Sequence, residues 1–296
     1  MMKFAIVCAA GIGDALLMQI ASTHLRRLGH SVVTFSNHLS QLRDWFPGCS
    51  FAPQPQLDRI EEIFAPFDAI ILQHDNTPKA KKIRALAKPV YSLYGAHLVS
   101  KHGLFRPEWD YLLDRNLCMA KNIQAACQVL FPGMAPLLDN GLTPLSHLLF
   151  RRFPKRIAIH PVSTSEQKNW PRSRFLHLHE LLEKKGYEPV FIAPPDEAAD
   201  WKSPTFNSLS DLASYIYESG AFIGNDSGPG HLASNLGLDT LIIGPSLEHL
   251  TLWRPGWKVG AIVHPPRWIH EFKLSWKNFI SVSQVYKSFA KLNVIK

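Results

Sequence analysis

Gly224-Asn225-Asp226-Ser227-Gly228-Pro229-Gly230-His231-Leu232-Ala233-Ser234-Asn235 is the stretch on which the reading of this chain turns. It follows an apolar run, Ala221 to Gly224, and leads into an apolar helical segment, Gly230 to Leu236, ended by Gly237. A strand that passes through a glycine-rich turn into a helix is a building unit of parallel α/β sheets. The glycines allow backbone to approach a ligand closely. Asp226 and Ser227 stand where side-chain oxygens accept from the first N–H groups of a helix. Such a helix start suits an anion, a diphosphate in particular. An ordinary glycine-rich turn with a structural histidine at 231 has the same sequence, so the stretch alone leaves both readings open.

Upstream, the alternation of strand and helix continues. Ile157 to Val162 reads as a strand, Ser173 to Lys185 as a helix closed by Gly186, and Pro189 to Ala193 as a strand. Asp211 to Glu218 is a short helix, and Thr240 to Ile243 the strand after the quoted helix. The first half repeats the pattern. Residues 3–9 form a strand, Ala10-Gly11-Ile12-Gly13 a turn, Asp14 to Leu28 a helix closed by Gly29, and Ser31 to Phe35 a strand. Ala69 to Gln73, Lys79 to Ala87 and Pro89 to Leu93 add a further strand, helix and strand; residues 97–150 are richer in helix signals. Two parallel-sheet α/β domains follow, with Arg151 to Arg156 as the linker between them. Open sheets of this class bind ligands at the carboxyl ends of their strands.

The chain has 296 residues, enough for two domains, and 46% are apolar. No apolar run approaches the ~18–20 residues that span a bilayer. The apolar opening runs straight into Gly11-Ile12-Gly13-Asp14, so it reads as a folded strand and not a cleaved leader. Cys8, Cys49, Cys118 and Cys127 show no paired spacing. A disulfide framework or zinc site is therefore not expected, and a reducing, cytoplasmic compartment is. The formal charge is +8, concentrated at Lys79–Lys88, Arg151–Arg156 and the tail from Lys273 to Lys296. Plain solvated surface, an anionic substrate and an anionic membrane face are the readings of that excess. Nucleic acid is not expected, since no nucleic-acid module is recognisable.

The run Asp226-Ser227-Gly228-x-x-His231, followed by Thr240-Leu241-Ile242-Ile243-Gly244-Pro245-Ser246, resembles the donor-site signature of glycosyltransferase family 9, which contains the ADP-heptose:lipopolysaccharide heptosyltransferases. Ile159 to Pro171 is similar to that family's second motif, a strand, a short polar loop, Lys, then Trp-Pro, and Ile12-Gly13-Asp14 to its N-terminal motif. The resemblance implies a GT-B architecture, two Rossmann-like domains with parallel sheets facing across a cleft. It implies an acceptor-binding domain over 1–150, a nucleotide-sugar-binding domain over 151–272, and a helix in 273–296 that returns to the first domain. The activity implied is inverting transfer of a heptose or related sugar from an ADP-sugar to a lipopolysaccharide-type, lipid-linked acceptor at the inner face of the inner membrane.

Such a transfer needs a base for the acceptor hydroxyl, stabilisation of the departing diphosphate, and a donor held in line. The resemblance assigns the base to Asp14, in the turn made by Gly11 and Gly13. The residues alone favour an N-cap carboxylate for the first helix. Lys168 is the candidate phosphate ligand, with Ser163, Thr164 and Ser165 as neutral donors. Asp226, Ser227, Gly228 and His231 are the candidate holders of donor sugar, diphosphate or ribose. Trp170 reads as packing, and the Asp196-Glu197 loop as a place for the nucleoside. Where the family often carries an Arg before the first motif and a His after it, this sequence has Cys8 and Leu17. No Asp-x-Asp metal signature is present, so no metal or cofactor is expected beyond the donor. The alternatives are a nucleotide-sugar epimerase of the same architecture, or a nucleotide-sugar-binding protein without catalysis. A dinucleotide dehydrogenase is the weakest reading, since Ala9 to Asp14 lacks the third fingerprint glycine.

Overall fold

Lys3–Val7 (β1) is apolar and buried from Phe4 onward, as a central parallel strand must be. It pairs in parallel with Ser31–Phe35 (β2) on one side and Ala69–Gln73 (β4) on the other. The helix between β1 and β2, Ile12–Arg27 (α1), begins two residues earlier than its sequence signals suggest. Its N-cap is Gly11 in extended conformation, so Asp14 lies in the first turn and is not the cap residue. Gly29, at φ +84°, supplies the left-handed turn that ends the helix. Ser50–Ala52 (β3), Ile60–Phe64 (α2), Pro78–Arg84 (α3), Val90–Tyr94 (β5), Asp110–Leu112 (β6) and Met119–Leu130 (α4) complete this part. The strand order is β3-β2-β1-β4-β5-β6, all parallel, the doubly wound order of dinucleotide-binding folds. The structure is a computed structural model, and it describes residues 1–296 except 74–75, 95–103, 136, 164, 259, 272–274 and 293–296.

The second sheet is built from Phe153–His160 (β7), Glu188–Phe191 (β8), Ser219–Asn225 (β9), Asp239–Ile243 (β10) and Ala261–Val263 (β11), in the order β11-β10-β9-β7-β8. All its pairs are parallel. Arg172–Lys184 (α5), Ala198–Trp201 (α6), Leu209–Tyr217 (α7), Gly228–Asn235 (α8), Leu247–Trp253 (α9), Trp268–Glu271 (α10) and Val282–Ala290 (α11) accompany it. Strand β9 is buried at all seven positions, which is why its sequence shows no alternation.

Two expectations about chain organisation are corrected. The compact units are Met1–Thr143 and Pro144–Lys296, and Arg151–Arg156 is not a free linker. From Phe153 the chain is strand, because Phe153 N–H bonds Glu218 C=O and the Arg156 guanidinium finds Ser219 Oγ and Tyr215 C=O. The terminal helix α11 was expected to pack on the first domain. Instead Val282, Val285 and Phe289 share the second unit's core with Phe175, Leu178, Leu182 and Ile243. The physical reason is its apolar stripe, which completes the cover of the second sheet beside α5 and β11.

Candidate functional site

In each sheet the strand order reverses next to the strand that comes first in sequence. That places a crevice at the carboxyl ends of β1 and β4 in the first unit, and of β7 and β9 in the second. The residues picked out by sequence lie in the loops that leave these strands.

In the first unit, Asp14 is half-buried just beyond β1. Gln73, the last residue of β4, donates from Nε2 to Asp14 Oδ1 at 2.5 Å and accepts the Ala9 N–H at Oε1, 3.1 Å. One side chain thus ties the turn after β1 to the end of β4. A Cβ on Gly11 would lie 2.8 Å from Asp14 Oδ2, so the glycine makes room for this carboxylate. Gln54 donates to Cys8 C=O at 2.8 Å and accepts Lys79 Nζ at 2.5 Å, and His38 Nε2 donates to Ala10 C=O at 2.9 Å. Burial, with the Asp14 charge adding to it, pushes the Cys8 thiol far up and keeps it protonated, which rules it out as a nucleophile. Gln73, Gln54 and His38 carry no motif. What collects them here is the order of the strands.

In the second unit, Asp226 is buried, 8% exposed, at the end of β9. Its Oδ2 accepts from His249 Nε2–H at 2.8 Å and from Lys168 Nζ at 3.3 Å. Burial alone would raise the Asp226 carboxyl. The His249 hydrogen bond and the charges of His231, Lys168 and His249 outweigh it and hold the group below its usual range. Lys168 ends a short 3₁₀ turn, Glu166–Lys168, and is partly exposed. His249 lies in the first turn of α9, whose cap is Ser246 accepting the His249 N–H at 3.1 Å.

The expectation that Asp226 and Ser227 cap helix α8 is corrected. Ser227 occupies the cap position but makes no side-chain cap bond. Its hydroxyl shares a 3.0 Å hydrogen bond with His160 Nδ1, while the Asp226 carboxylate serves the cations. The first turn has few donors to offer: Pro229 has no N–H, and the Gly230 N–H bonds Ser227 C=O at 3.1 Å. Gly228 contributes the remaining first-turn N–H ahead of His231. His231 is buried, its ring edge-on to Trp257. His160 is buried at the end of β7, and burial lowers its pKa from 6.5 to about 4, so the ring is neutral near pH 7.

The loop after β7 is internally braced. Ser163 Oγ lies 2.9 Å from Ser165 C=O and 2.7 Å from Asn169 Oδ1, so its hydroxyl is engaged within the loop. Asn225, fully buried, donates to Pro161 C=O at 2.6 Å and accepts the Trp170 N–H at 3.0 Å. Trp170 is 1% exposed and donates its indole N–H to Ile280 C=O at 3.0 Å, in line with packing. Thr164 lies outside the described residues. An open pocket of about 450 Å³ borders Lys168, with Ser165, Gln167, Pro245, Trp276 and Lys277 on its walls. Trp276 Nε1–H and Lys277 Nζ hold the carbonyls of Gln167 and Glu166, at 3.2 and 2.7 Å. Asp196 is exposed and Glu197 half-buried ahead of α6. Among the described residues, no group of three or more His, Cys, Asp or Glu stands close enough to hold a metal ion.

Residues 144–244 match the family model of glycosyltransferase family 9 (heptosyltransferase). The matched segment lies within the second unit, Pro144–Lys296. That match over residues 144–244 is what supports a glycosyltransferase. The chain is similar to a glycosyl transferase family 9 structure from Veillonella parvula, at 20% identity and TM-score 0.72, over 98% of this chain and 97% of that one. It is similar to E. coli heptosyltransferase WaaC with ADP, at 14% and 0.74, over 98% and 100%. It is also similar to E. coli ADP-heptose lps heptosyltransferase II, at 14% and 0.70, over 98% and 98%. At these identities the likeness is one of fold, GT-B with two Rossmann-like units. No curated protein matches the sequence. Ser163, Ser165, Lys168, Asp226, Ser227, Gly228 and His231 all fall inside the family 9 segment; Asp14, Gln73 and His249 do not.

Proposed function

We propose that this glycosyltransferase moves a heptose or related sugar from an ADP-sugar to a lipid-linked, lipopolysaccharide-type saccharide, with inversion. The observation that carries the donor half is the cluster of Lys168 and His249 on Asp226 at the carboxyl end of β9. A lysine and a histidine N–H donor there, beside the Gly228 turn, are what a departing diphosphate requires. The similar E. coli WaaC structure holds ADP, which supports adenine as the nucleotide base. Lys168 stabilises the diphosphate; Ser165 borders the same pocket, and Ser163 and Thr164 are the further neutral donors proposed from this loop. Ser227, Gly228 and His231 hold the donor beside Asp226.

Asp14 takes the proton from the acceptor hydroxyl in this reading. Gln73 supports it by fixing the carboxylate through Oδ1. The reaction then needs no metal, since Lys168 meets the charge on the leaving group. Attraction to an anionic membrane rests on fewer charges than the sequence count implies. Lys79, Arg84 and Lys88 bond Gln54, Asp110 and the carbonyls of Phe64 and Phe67, and of the remaining two lysines of that segment Lys81 is exposed and Lys82 half-buried. No helix among the described residues is long and apolar enough to cross a membrane.

The test is ADP binding by titration calorimetry. Lys168→Ala should weaken ADP by about 1–3 kcal/mol, the scale of a lost charged hydrogen bond. Unchanged ADP affinity in the folded variant sinks the donor assignment. Incubation with ADP-heptose alone separates transfer from epimerisation, since an epimerase converts the donor without any acceptor.

A further inference from the structure

Asp226 offers one carboxylate oxygen, Oδ2, to two hydrogen-bond donors, and the two are not equivalent. His249 is close, 2.8 Å, and its side chain is 24% exposed; Lys168 is farther, 3.3 Å, and 40% exposed. A carboxylate only accepts, so His249 Nε2 carries the proton in this contact. Three features of the backbone fix the histidine in place. Ser246 caps helix α9 through the His249 N–H itself. Gly244 lets Leu250 pack against the strand end, where a Cβ would stand 2.6 Å from Leu250 Cδ2. Leu250 is fully buried, so the first turn of α9 is anchored on the residue next to His249. Lys168 has no comparable restraint. It reaches Asp226 on a flexible four-carbon stem from an exposed turn.

We propose that His249 is a positioning residue of the donor site, the fixed hydrogen-bond donor that keeps Asp226 paired and so lets Lys168 leave it for the donor's diphosphate. The proposal rests on the donor-site reading of Lys168 and adds the group that makes the lysine available. Stripping a buried carboxylate of its partners is costly. With His249 absent, Asp226 Oδ2 keeps the Lys168 hydrogen bond, and transfer of that ammonium to a phosphate removes it as well. With His249 present, the carboxylate stays paired while the ammonium moves. His249 therefore acts on nucleotide binding without touching the nucleotide.

The experiment is a double-mutant cycle on ADP affinity, read by titration calorimetry with free ADP. His249→Leu should weaken ADP by ~10-fold, the loss of a charged hydrogen bond's worth of pairing. His249→Gln, which keeps an N–H donor for Asp226, should restore most of that. Asp226→Asn should still bind ADP, and adding His249→Leu to it should change the affinity by no more than ~2-fold, because a neutral amide leaves no charge to be stranded. Equal losses from His249→Leu in both backgrounds overturn the proposal, as does wild-type affinity in His249→Leu. Absence of ADP binding in Asp226→Asn also overturns it, by making Asp226 itself an ADP ligand. Should His249→Leu fail to fold, His249→Asn carries the same comparison, its amide being too short to reach Asp226. Lys168→Ala is run alongside: normal ADP affinity there fails the donor reading, whereas a loss there with no effect at His249 fails this proposal alone.

Discussion

Gln73 and Asp14, 59 residues apart in sequence, are joined by a 2.5 Å hydrogen bond across the central strand pair of the first sheet. The cap of α1 is Gly11, so the helix does not depend on Asp14 as its N-cap. Asp14→Asn keeps an oxygen that accepts from Gln73 and loses only the basic carboxylate. It should fold, bind ADP normally, and turn over about 10²–10⁴-fold more slowly with a competent acceptor. Full activity in Asp14→Asn removes this residue from the mechanism.

Gln73→Leu separates positioning from basicity. It leaves the carboxylate in place but releases both Asp14 and the Ala9 N–H. Turnover should fall by roughly tenfold, a positioning loss smaller than that of Asp14→Asn, with ADP affinity unchanged. A larger loss than in Asp14→Asn contradicts this order of importance.

His160 gives the second unit a pH dependence of known sign. Its pKa is lowered to about 4 by burial, against 6.5 for an exposed histidine. Between these values the unfolded chain binds a proton that the folded one refuses. Stability should therefore fall as pH drops from about 6.5 towards 4, by up to ~3 kcal/mol, and show no contribution from this group above that window. Urea midpoints at about pH 7, 6 and 5 for the wild type and His160→Gln measure it. Identical pH slopes in the two proteins mean that His160 is not a buried neutral imidazole.

How far this was readable beforehand depends on what kind of information a residue carries. Ser31–Phe35 and Ala69–Gln73 are found where their β-branched and apolar runs place them, and most other strands and helices within a few residues. Lys168, Asp226 and His231 stand in glycine- and proline-marked turns, and the fold brings them together. Gln73, His160 and His249 were missed as site residues because nothing local distinguishes them. Each matters through the strand end or helix turn opposite it, which only the order of strands decides. Ser50–Ala52, Asp110–Leu112 and Ala261–Val263 were missed because three-residue edge strands are too short to show a period. The terminal helix was legible as a helix, but not the sheet it covers, since an apolar stripe does not name its partner.

That misplacement yields a prediction of its own. Removal of residues from Ser281 onward takes Val282, Val285 and Phe289 out of the second unit's core and exposes their neighbours. Losing three fully or nearly buried side chains at about 1.5–3 kcal/mol each is comparable with a normal margin of stability. The truncated chain should lose cooperative unfolding of the second unit, along with ADP binding, as followed by near-UV circular dichroism and calorimetry. A truncated chain that binds ADP normally shows the helix to be dispensable.

Glycines at the strand ends set a further test. A Cβ at Gly220 would stand 1.9 Å from Pro154 C=O, and one at Gly224 2.8 Å from His160 C=O. Backbone cannot yield as a side-chain tip can. Gly220→Ala should cost at least about 3 kcal/mol and reduce soluble yield, whereas Gly224→Ala should fold less stably and bind ADP more weakly by displacing the strand ends that carry His160 and Asp226. Wild-type melting temperatures in both variants contradict the parallel pairing of β7 with β9.

The contacts that make the two sites span long loops of chain: 59 residues from Asp14 to Gln73, 58 from Lys168 to Asp226, and 67 from His160 to Ser227. Helices form locally and early, but loops of this length close late and slowly. A refolding chain thus acquires much of its helical signal before either site exists. Nucleotide has nothing to bind until the central strands of the second sheet have paired. Excess ADP should then leave the refolding rate almost unchanged and act on the reverse step, lengthening the lifetime of the native chain.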